Sequence, residues 1–179
     1  LDTYTLLFLR FSLSAVFMAG LLILRGERLP AGRTLLQLVG MGAIGYVGQS
    51  YCYLTAIKYA SAGLVALLLY LYPSFVALLS VIFLKKSFNR AKLFALGMAT
   101  LGAILTADPQ GGQPTGILLA ISAAVIYSGY IIVGAGAMER VSAVQSSTVI
   151  FASAGAVYGI LTAFNGPQWP ASPAGWGSV

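Results

Sequence analysis

Seven polar side chains inside the long apolar stretches of this chain are candidates for function, because each needs a hydrogen-bond partner or a functional reason to be there. They are Arg10, Tyr46, Gln49, Tyr53, Tyr72, Tyr127 and Tyr130. Tyr46, Gln49 and Tyr53 are spaced by three and four residues, so one helix would present them on the same face. Such hydroxyl and amide groups either line a cavity for a small solute or only join neighbouring helices. The sequence leaves both open for this face and for Tyr72.

Arg10 is the clearest charge within an apolar stretch. Its long stem could carry the guanidinium to the membrane–water interface on the outer side of the bilayer. Alternatively, it faces a cavity, where it binds an anionic group of a solute or pairs with an acid. All four carboxylates lie outside the apolar stretches, so these stretches cannot supply an Asp or Glu proton relay.

Residues for enzyme chemistry are scarce. The chain has no histidine, one cysteine and four carboxylates. A zinc site needs three or four converging ligands, and a Ser-His-Asp triad needs histidine. One cysteine forms no internal disulfide. We therefore expect no enzymatic activity, no metal and no cofactor.

Composition points to a membrane protein. Of 179 residues, 8% are charged and 59% are hydrophobic, whereas a soluble domain has roughly 25% charged residues. A helix needs about 20 apolar residues to cross a bilayer. We predict an all-α, polytopic transmembrane helix bundle with six spans. Spans A to F cover about 5–24, 34–57, 61–84, 91–107, 115–138 and 143–164.

Two features refine this bundle. Pro73 lies in the middle of span C and predicts a helix bend, because proline cannot donate to the carbonyl of Leu69. Small residues recur at helical spacing, as in Gly155 and Gly159 of span F, and predict close helix packing.

Basic residues orient the predicted spans. The connections after spans A, C and E (25–33, 85–92 and 139–142) share one side and hold eight of the ten basic residues. The positive-inside rule makes that side cytoplasmic, in the cell or inner membrane. The amino-terminal end then faces outward, as expected if one span precedes it. The net charge of +6 reflects either topology alone or binding of anionic lipid. Without an aromatic-interleaved basic stripe, we expect no nucleic-acid partner.

Several short motifs follow one another along the chain in an order that is typical of one protein family. They are Leu9-Arg10-Phe11, Gln49 with Tyr53, the run 56–63, Tyr72-Pro73-Ser74-Phe75, the run 83–86, the run 102–105, the run 116–120, and Tyr130. In this order the chain resembles EamA-type carriers of the drug/metabolite transporter superfamily. The resemblance implies ten helices in two inverted five-helix repeats, of which these six would be spans two to seven. Members often carry a Glu after the fourth span, where this chain has Lys85-Lys86.

The resemblance implies a division into residues 1–107 (spans two to five of the first repeat), a linker at 108–114, and residues 115–179 (the start of the second repeat). The leading hypothesis is a secondary transporter that exports or exchanges an amino acid, metabolite or drug-like solute by alternating access. The seven polar residues named first would line its pathway, with Pro73 as a bend. The alternatives are a passive channel or pore and a non-catalytic membrane scaffold. The partners are the solute and the lipid bilayer, and a homodimer is left open.

Overall fold

The computed structural model describes residues 2–84, 94, 96–98, 100–102, 105, 112–167 and 169. Its named elements are all helical. They are α1 (Thr3–Leu24), α2 (Gly32–Gly40), a π-helical segment (Met41–Tyr46), α3 (Val47–Ala56), α4 (Ala62–Leu69), α5 (Tyr72–Leu84), α6 (Pro114–Met138) and α7 (Ala143–Asn165).

The predicted all-α transmembrane bundle is confirmed. Among the described residues, four segments are long and apolar enough to cross a membrane: Thr3–Leu24, Ala62–Phe83, Pro114–Met138 and Ala143–Asn165. They correspond to spans A, C, E and F. Span B is helical from Gly32 to Ala56 but is divided by the π segment.

Span D falls largely outside the described residues. Those of its residues that are described, from 94 to 105, are helical. The basic connection predicted at 85–92 and most of the predicted linker at 108–114 also lie outside them.

The chain divides into two compact units. Unit 1 comprises residues 1–47 and 134–179, and unit 2 comprises residues 48–133. Both boundaries fall inside helical segments, so α6 contributes to each unit. This division follows contacts, and it differs from the repeat boundaries expected from the sequence.

Unit 1 is built on the antiparallel pair α1 and α7, which make the most extensive helix contact in the chain. A Cβ placed on Gly155 would lie 3.4 Å from the Ser12 nitrogen, and one on Gly159 would lie 3.0 Å from the Phe8 ring. Lipid is as apolar as leucine, so helices associate in a membrane chiefly by close packing. The two glycines supply that close approach.

The π segment packs against α7 in the same unit. A Cβ on Gly42 would lie 2.5 Å from the backbone oxygen of Ile150, a distance that no other residue could adopt without a shift. Glycine is therefore required where the π segment crosses α7.

Unit 2 has its own apolar core. Buried residues of α3, α4 and α6 meet there with the end of the α3–α4 turn. They are Ala56, Ala60, Leu64, Val65 and Ala120. The turn is fixed to the beginning of α6, because the Gln113 N–H donates to the Tyr59 carbonyl at 2.8 Å. A Cβ on Gly116 would come within 2.9 Å of the Ala60 Cβ, so α6 approaches this turn closely.

The connection from α1 to α2 is held against the beginning of α7. Gly26 has φ +64° and ends α1 in a Schellman motif, in which the N–H groups of Gly26 and Glu27 donate to the carbonyls of Ile23 and Leu22. This turn brings the Glu27 carboxylate to the hydroxyl of Ser142, which donates to it.

Ser142 is also the N-cap of α7. Its hydroxyl accepts from the Gln145 N–H, and the Gln145 side chain accepts from the Ser142 N–H, which forms a capping box. The Gln145 amide then donates to the Arg28 carbonyl at 2.7 Å. Two connections far apart in the sequence are therefore joined.

Candidate functional site

Three tyrosines meet in unit 2. The rings of Tyr72 and Tyr127 lie 4.9 Å apart between centroids and are nearly perpendicular, at 74°. The rings of Tyr127 and Tyr130 lie 5.9 Å apart and are nearly parallel, at 12°. All three side chains are partly exposed. These three residues form what we call the tyrosine cluster.

The helix carrying Tyr72 is interrupted next to this cluster. The α-helix ends at Leu69, turns through Tyr70 and Leu71, and begins again at Tyr72. In the turn, N–H groups bond three residues back: Leu71 to the Leu68 carbonyl at 3.2 Å, and Ser74 to the Leu71 carbonyl at 2.9 Å. Proline at 73 has no N–H to offer Leu69, which explains where the helical bonding stops. The bend angle predicted at Pro73 stays a prediction.

Ser128 connects the interruption to α6. Its side chain is fully buried, and its hydroxyl lies 3.0 Å from the Tyr72 carbonyl and 2.6 Å from the Ala124 carbonyl, both of which can accept from it. A buried hydroxyl shared in this way satisfies backbone oxygen beside an irregular turn. Ser128 therefore fixes the interrupted helix to the helix that carries Tyr127 and Tyr130.

A second polar contact lies on the other side of Pro73. The hydroxyls of Ser74 and Thr100 are 3.1 Å apart, and Thr100 also donates to the Leu96 carbonyl. Pro73 and Tyr127 both fall near the middle of their membrane-crossing segments. The cluster, the interruption and these hydroxyls therefore lie at mid-span depth.

Tyr46 belongs to a different group, in unit 1. Its ring lies 5.4 Å from that of Phe11 and 6.2 Å from that of Phe151. Phe11 in turn stacks on Tyr158 at 5.6 Å with an interplanar angle of 2°. The buried Tyr158 hydroxyl donates to the Val47 carbonyl at 2.7 Å, where the π segment ends. We call these four residues the aromatic group of unit 1.

The other predicted residues are placed separately. Arg10 is exposed on α1. In unit 2 the Gln49 side chain accepts a hydrogen bond from the Ser50 hydroxyl at 3.4 Å, and Tyr53 packs against the apolar core. The structure thus brings together Tyr72, Tyr127 and Tyr130. Tyr46 falls in unit 1, and Gln49 and Tyr53 fall in unit 2.

Two groups of residues were not among the predicted site residues. Tyr158 lies between Gly155 and Gly159, and that small-residue spacing marked a close helix contact without indicating that a buried ring would fill it. In the sequence, Ser128 and Thr100 are small hydroxyl residues inside apolar spans, a pattern too common to indicate a functional site. Among the described residues, no three His, Cys, Asp or Glu side chains are grouped so as to hold a metal ion.

These features define a multi-pass membrane protein with an interrupted helix and polar side chains at mid-span depth. Residues 1–107 match the EamA-like transporter family, so the chain belongs to that family. No curated protein matches the chain.

Three solved chains match, one of them with a TM-score of 0.77 and 22% sequence identity over 99% of this chain. The chain spans 64% of the length of that solved chain, a crystal structure, and the likeness concerns the fold alone.

Proposed function

We propose that the protein is a secondary transporter that moves a small organic solute across the cell or inner membrane by alternating access. The observation that carries the proposal is the interrupted helix before Pro73, flanked by the tyrosine cluster and by Ser128 at mid-span depth. In many transporters the substrate binds near the bilayer midplane, where a discontinuous helix exposes backbone groups. Unwound backbone is tolerated there only if it is buried or lines a cavity.

The tyrosine cluster suits a small solute with an apolar body. Tyrosine rings offer flat apolar surface, and their hydroxyls can donate or accept a hydrogen bond. Amino acids, metabolites and drug-like molecules are the solute classes proposed. Arg10, Tyr46, Gln49 and Tyr53 are kept as proposed residues of the same pathway.

One contact supports a second repeat within the chain, with residues 1–107 in the first and 115–179 in the second. If α1 and α7 are equivalent spans, Phe11 corresponds to Phe151, and their rings lie 6.1 Å apart. Two residues that are related by a two-fold axis lie close to each other only when both lie close to that axis. The antiparallel packing of α1 on α7 fits such an axis in the membrane plane.

Uptake into vesicles tests the function. The full chain is reconstituted, and uptake of labelled amino acids and metabolites is measured against concentration, with and without solute on the opposite side. A transporter gives saturable uptake that solute on the opposite side accelerates. Linear uptake without such acceleration indicates a pore, and no uptake of any compound favours a scaffold.

A matched pair of variants tests the site. Tyr72→Ala should weaken uptake about tenfold at low solute, since a lost aromatic contact is worth roughly 1.5 kcal/mol. Tyr70→Ala, two residues earlier on a side chain that is 72% exposed, should leave uptake within about twofold. Equal loss in both variants would contradict the assignment of the tyrosine cluster.

The proposed orientation has its own test. Connections 25–33, 85–92 and 139–142 are proposed to be cytoplasmic. Tags inserted after Gly26 and after Gln110 should then be found in opposite compartments. Finding both tags in one compartment would contradict the proposed order of membrane crossings.

A further inference from the structure

We infer that the seam between α1 and α7 binds one anionic phospholipid of the surrounding bilayer, with its phosphate at the arginine end of the seam and an acyl chain in the groove beside it. The inference concerns unit 1 alone. It does not depend on the proposed transport activity.

The groove is an apolar depression of about 320 Å³ between the two helices. Besides Phe8 and Gly159, six small or apolar residues line it. They are Ser12, Ala15 and Val16 on α1, and Ala152, Gly155 and Ala156 on α7. Val16, Ala152 and Ala156 are exposed, so within unit 1 the groove opens outward. Both helices are long and apolar enough to cross a membrane, so the groove lies at the depth of the hydrocarbon core.

The arginine end is formed by the two joined connections. The Schellman turn at Gly26, the contact from Ser142 to Glu27 and the bond from Gln145 to Arg28 hold the α1–α2 connection beside the beginning of α7. Four exposed arginines lie on these connections and at the start of α2. They are Arg25, Arg28, Arg33 and Arg140.

The negative charge of Glu27 is partly offset by the N-terminus of α7, so it only partly neutralises the arginines. Its carboxylate accepts from Ser142 at the N-terminus of α7, where the helix dipole favours negative charge. Glu139 is the other acid of this end. Four guanidinium groups against two carboxylates leave a surface suited to a phosphate, which arginine binds through paired N–H donors.

Helix geometry connects the groove to this end. Val16 is the lining residue nearest to Arg25, nine residues or about 13.5 Å away along α1, and Phe8 at the far end is about 25.5 Å away. Half of a bilayer hydrocarbon core is about 15 Å. A phospholipid whose phosphate lies among the arginines therefore has an acyl chain long enough to enter the groove. A helix from a second copy would fill the groove without using the arginines, so charge complementarity favours the lipid.

Lipid retention tests the inference. The full chain is delipidated in a non-ionic detergent and titrated with dihexadecanoyl phosphatidylglycerol or dihexadecanoyl phosphatidylcholine, and bound lipid is counted by native mass spectrometry. Phosphatidylglycerol should bind at least tenfold more tightly. Arg25→Gln and Arg28→Gln should each weaken it about fivefold, as expected for one basic residue near an anionic lipid. Equal binding of the two lipids would overturn the inference.

The groove is tested separately. Ala156→Phe fills it and should reduce phosphatidylglycerol binding, whereas Ala163→Phe, on the same helix and exposed outside the groove, should not. In the unmodified protein, dihexanoyl phosphatidylglycerol should bind more weakly than the dihexadecanoyl lipid, because its chains are too short to reach the groove. Equal binding of the two chain lengths contradicts the groove. A loss of dimer mass in Ala156→Phe with lipid retained would instead assign the groove to a second copy.

Discussion

Replacing Tyr158 by phenylalanine removes one hydroxyl from the aromatic group of unit 1 and leaves the ring. In the structure this hydroxyl donates to the Val47 carbonyl, at the point where the π segment returns to α-helix. The ring is fully buried and stacks on Phe11. The variant therefore separates the hydrogen bond from the packing.

The expected cost can be worked from these contacts. A hydrogen bond in a protein contributes about 0.5–1.5 kcal/mol net, and polar contacts between membrane helices average about 0.6 kcal/mol. Val47 is the first residue of α3, so its carbonyl is positioned to keep a helical partner when the hydroxyl is removed. We expect Tyr158→Phe to lower the free energy of unfolding by about 1 kcal/mol. Tyr158→Ala also removes the buried ring and should cost about 3–5 kcal/mol.

Unfolding by sodium dodecyl sulfate in mixed micelles measures these free energies. Tyr70→Phe is the control, because its side chain is 72% exposed, and it should change the unfolding free energy by less than about 0.5 kcal/mol. Amide exchange should also increase within Met41–Tyr46 in Tyr158→Phe. The assignment of the hydrogen bond fails if Tyr158→Phe matches the control, and the assignment of the stack fails if Tyr158→Ala costs no more than Tyr158→Phe.

Four further substitutions have definite expectations. Gly42→Ala should lower the free energy of unfolding by about 2 kcal/mol in the same assay, because its Cβ would meet the Ile150 backbone. Gly40→Ala is the control: its Cβ has free space, so the variant should be neutral or more stable by up to about 1 kcal/mol. Pro73→Ala restores an N–H for Leu69 and should raise stability while slowing uptake into vesicles; faster uptake would contradict a role for the interruption. Arg10→Ala should reduce transport of an anionic solute more than protein abundance, and unchanged transport would place Arg10 at the interface.

The membrane-crossing helices were predictable because hydrocarbon thickness fixes their length. Spans A, E and F were expected at 5–24, 115–138 and 143–164, and the helices run over Thr3–Leu24, Pro114–Met138 and Ala143–Asn165. Apolar length does not reveal how a backbone is hydrogen-bonded within a span. The π segment was missed for this reason, since Met41–Tyr46 has the same apolar character in either helix type.

The predicted site residues illustrate the same limit. That Tyr46, Gln49 and Tyr53 share one face stays a prediction: the π segment ends at Tyr46, and α-helix follows over Val47–Ala56. The tyrosine cluster depends on contacts between helices far apart in the sequence, and spacing along one helix cannot supply them. Pro73 was informative because its missing N–H is a local property.

Unit 1 has a consequence for the order in which the protein is made. Its helix α1 leaves the ribosome more than 100 residues before its partner α7, and the whole of unit 2 is synthesised between them. Thr5 of α1 is buried in the finished fold, so during translation it must wait in lipid or beside the insertion machinery. Slowing translation between residues 48 and 133 would lengthen that wait and increase the chance that quality-control proteases remove the unfinished chain.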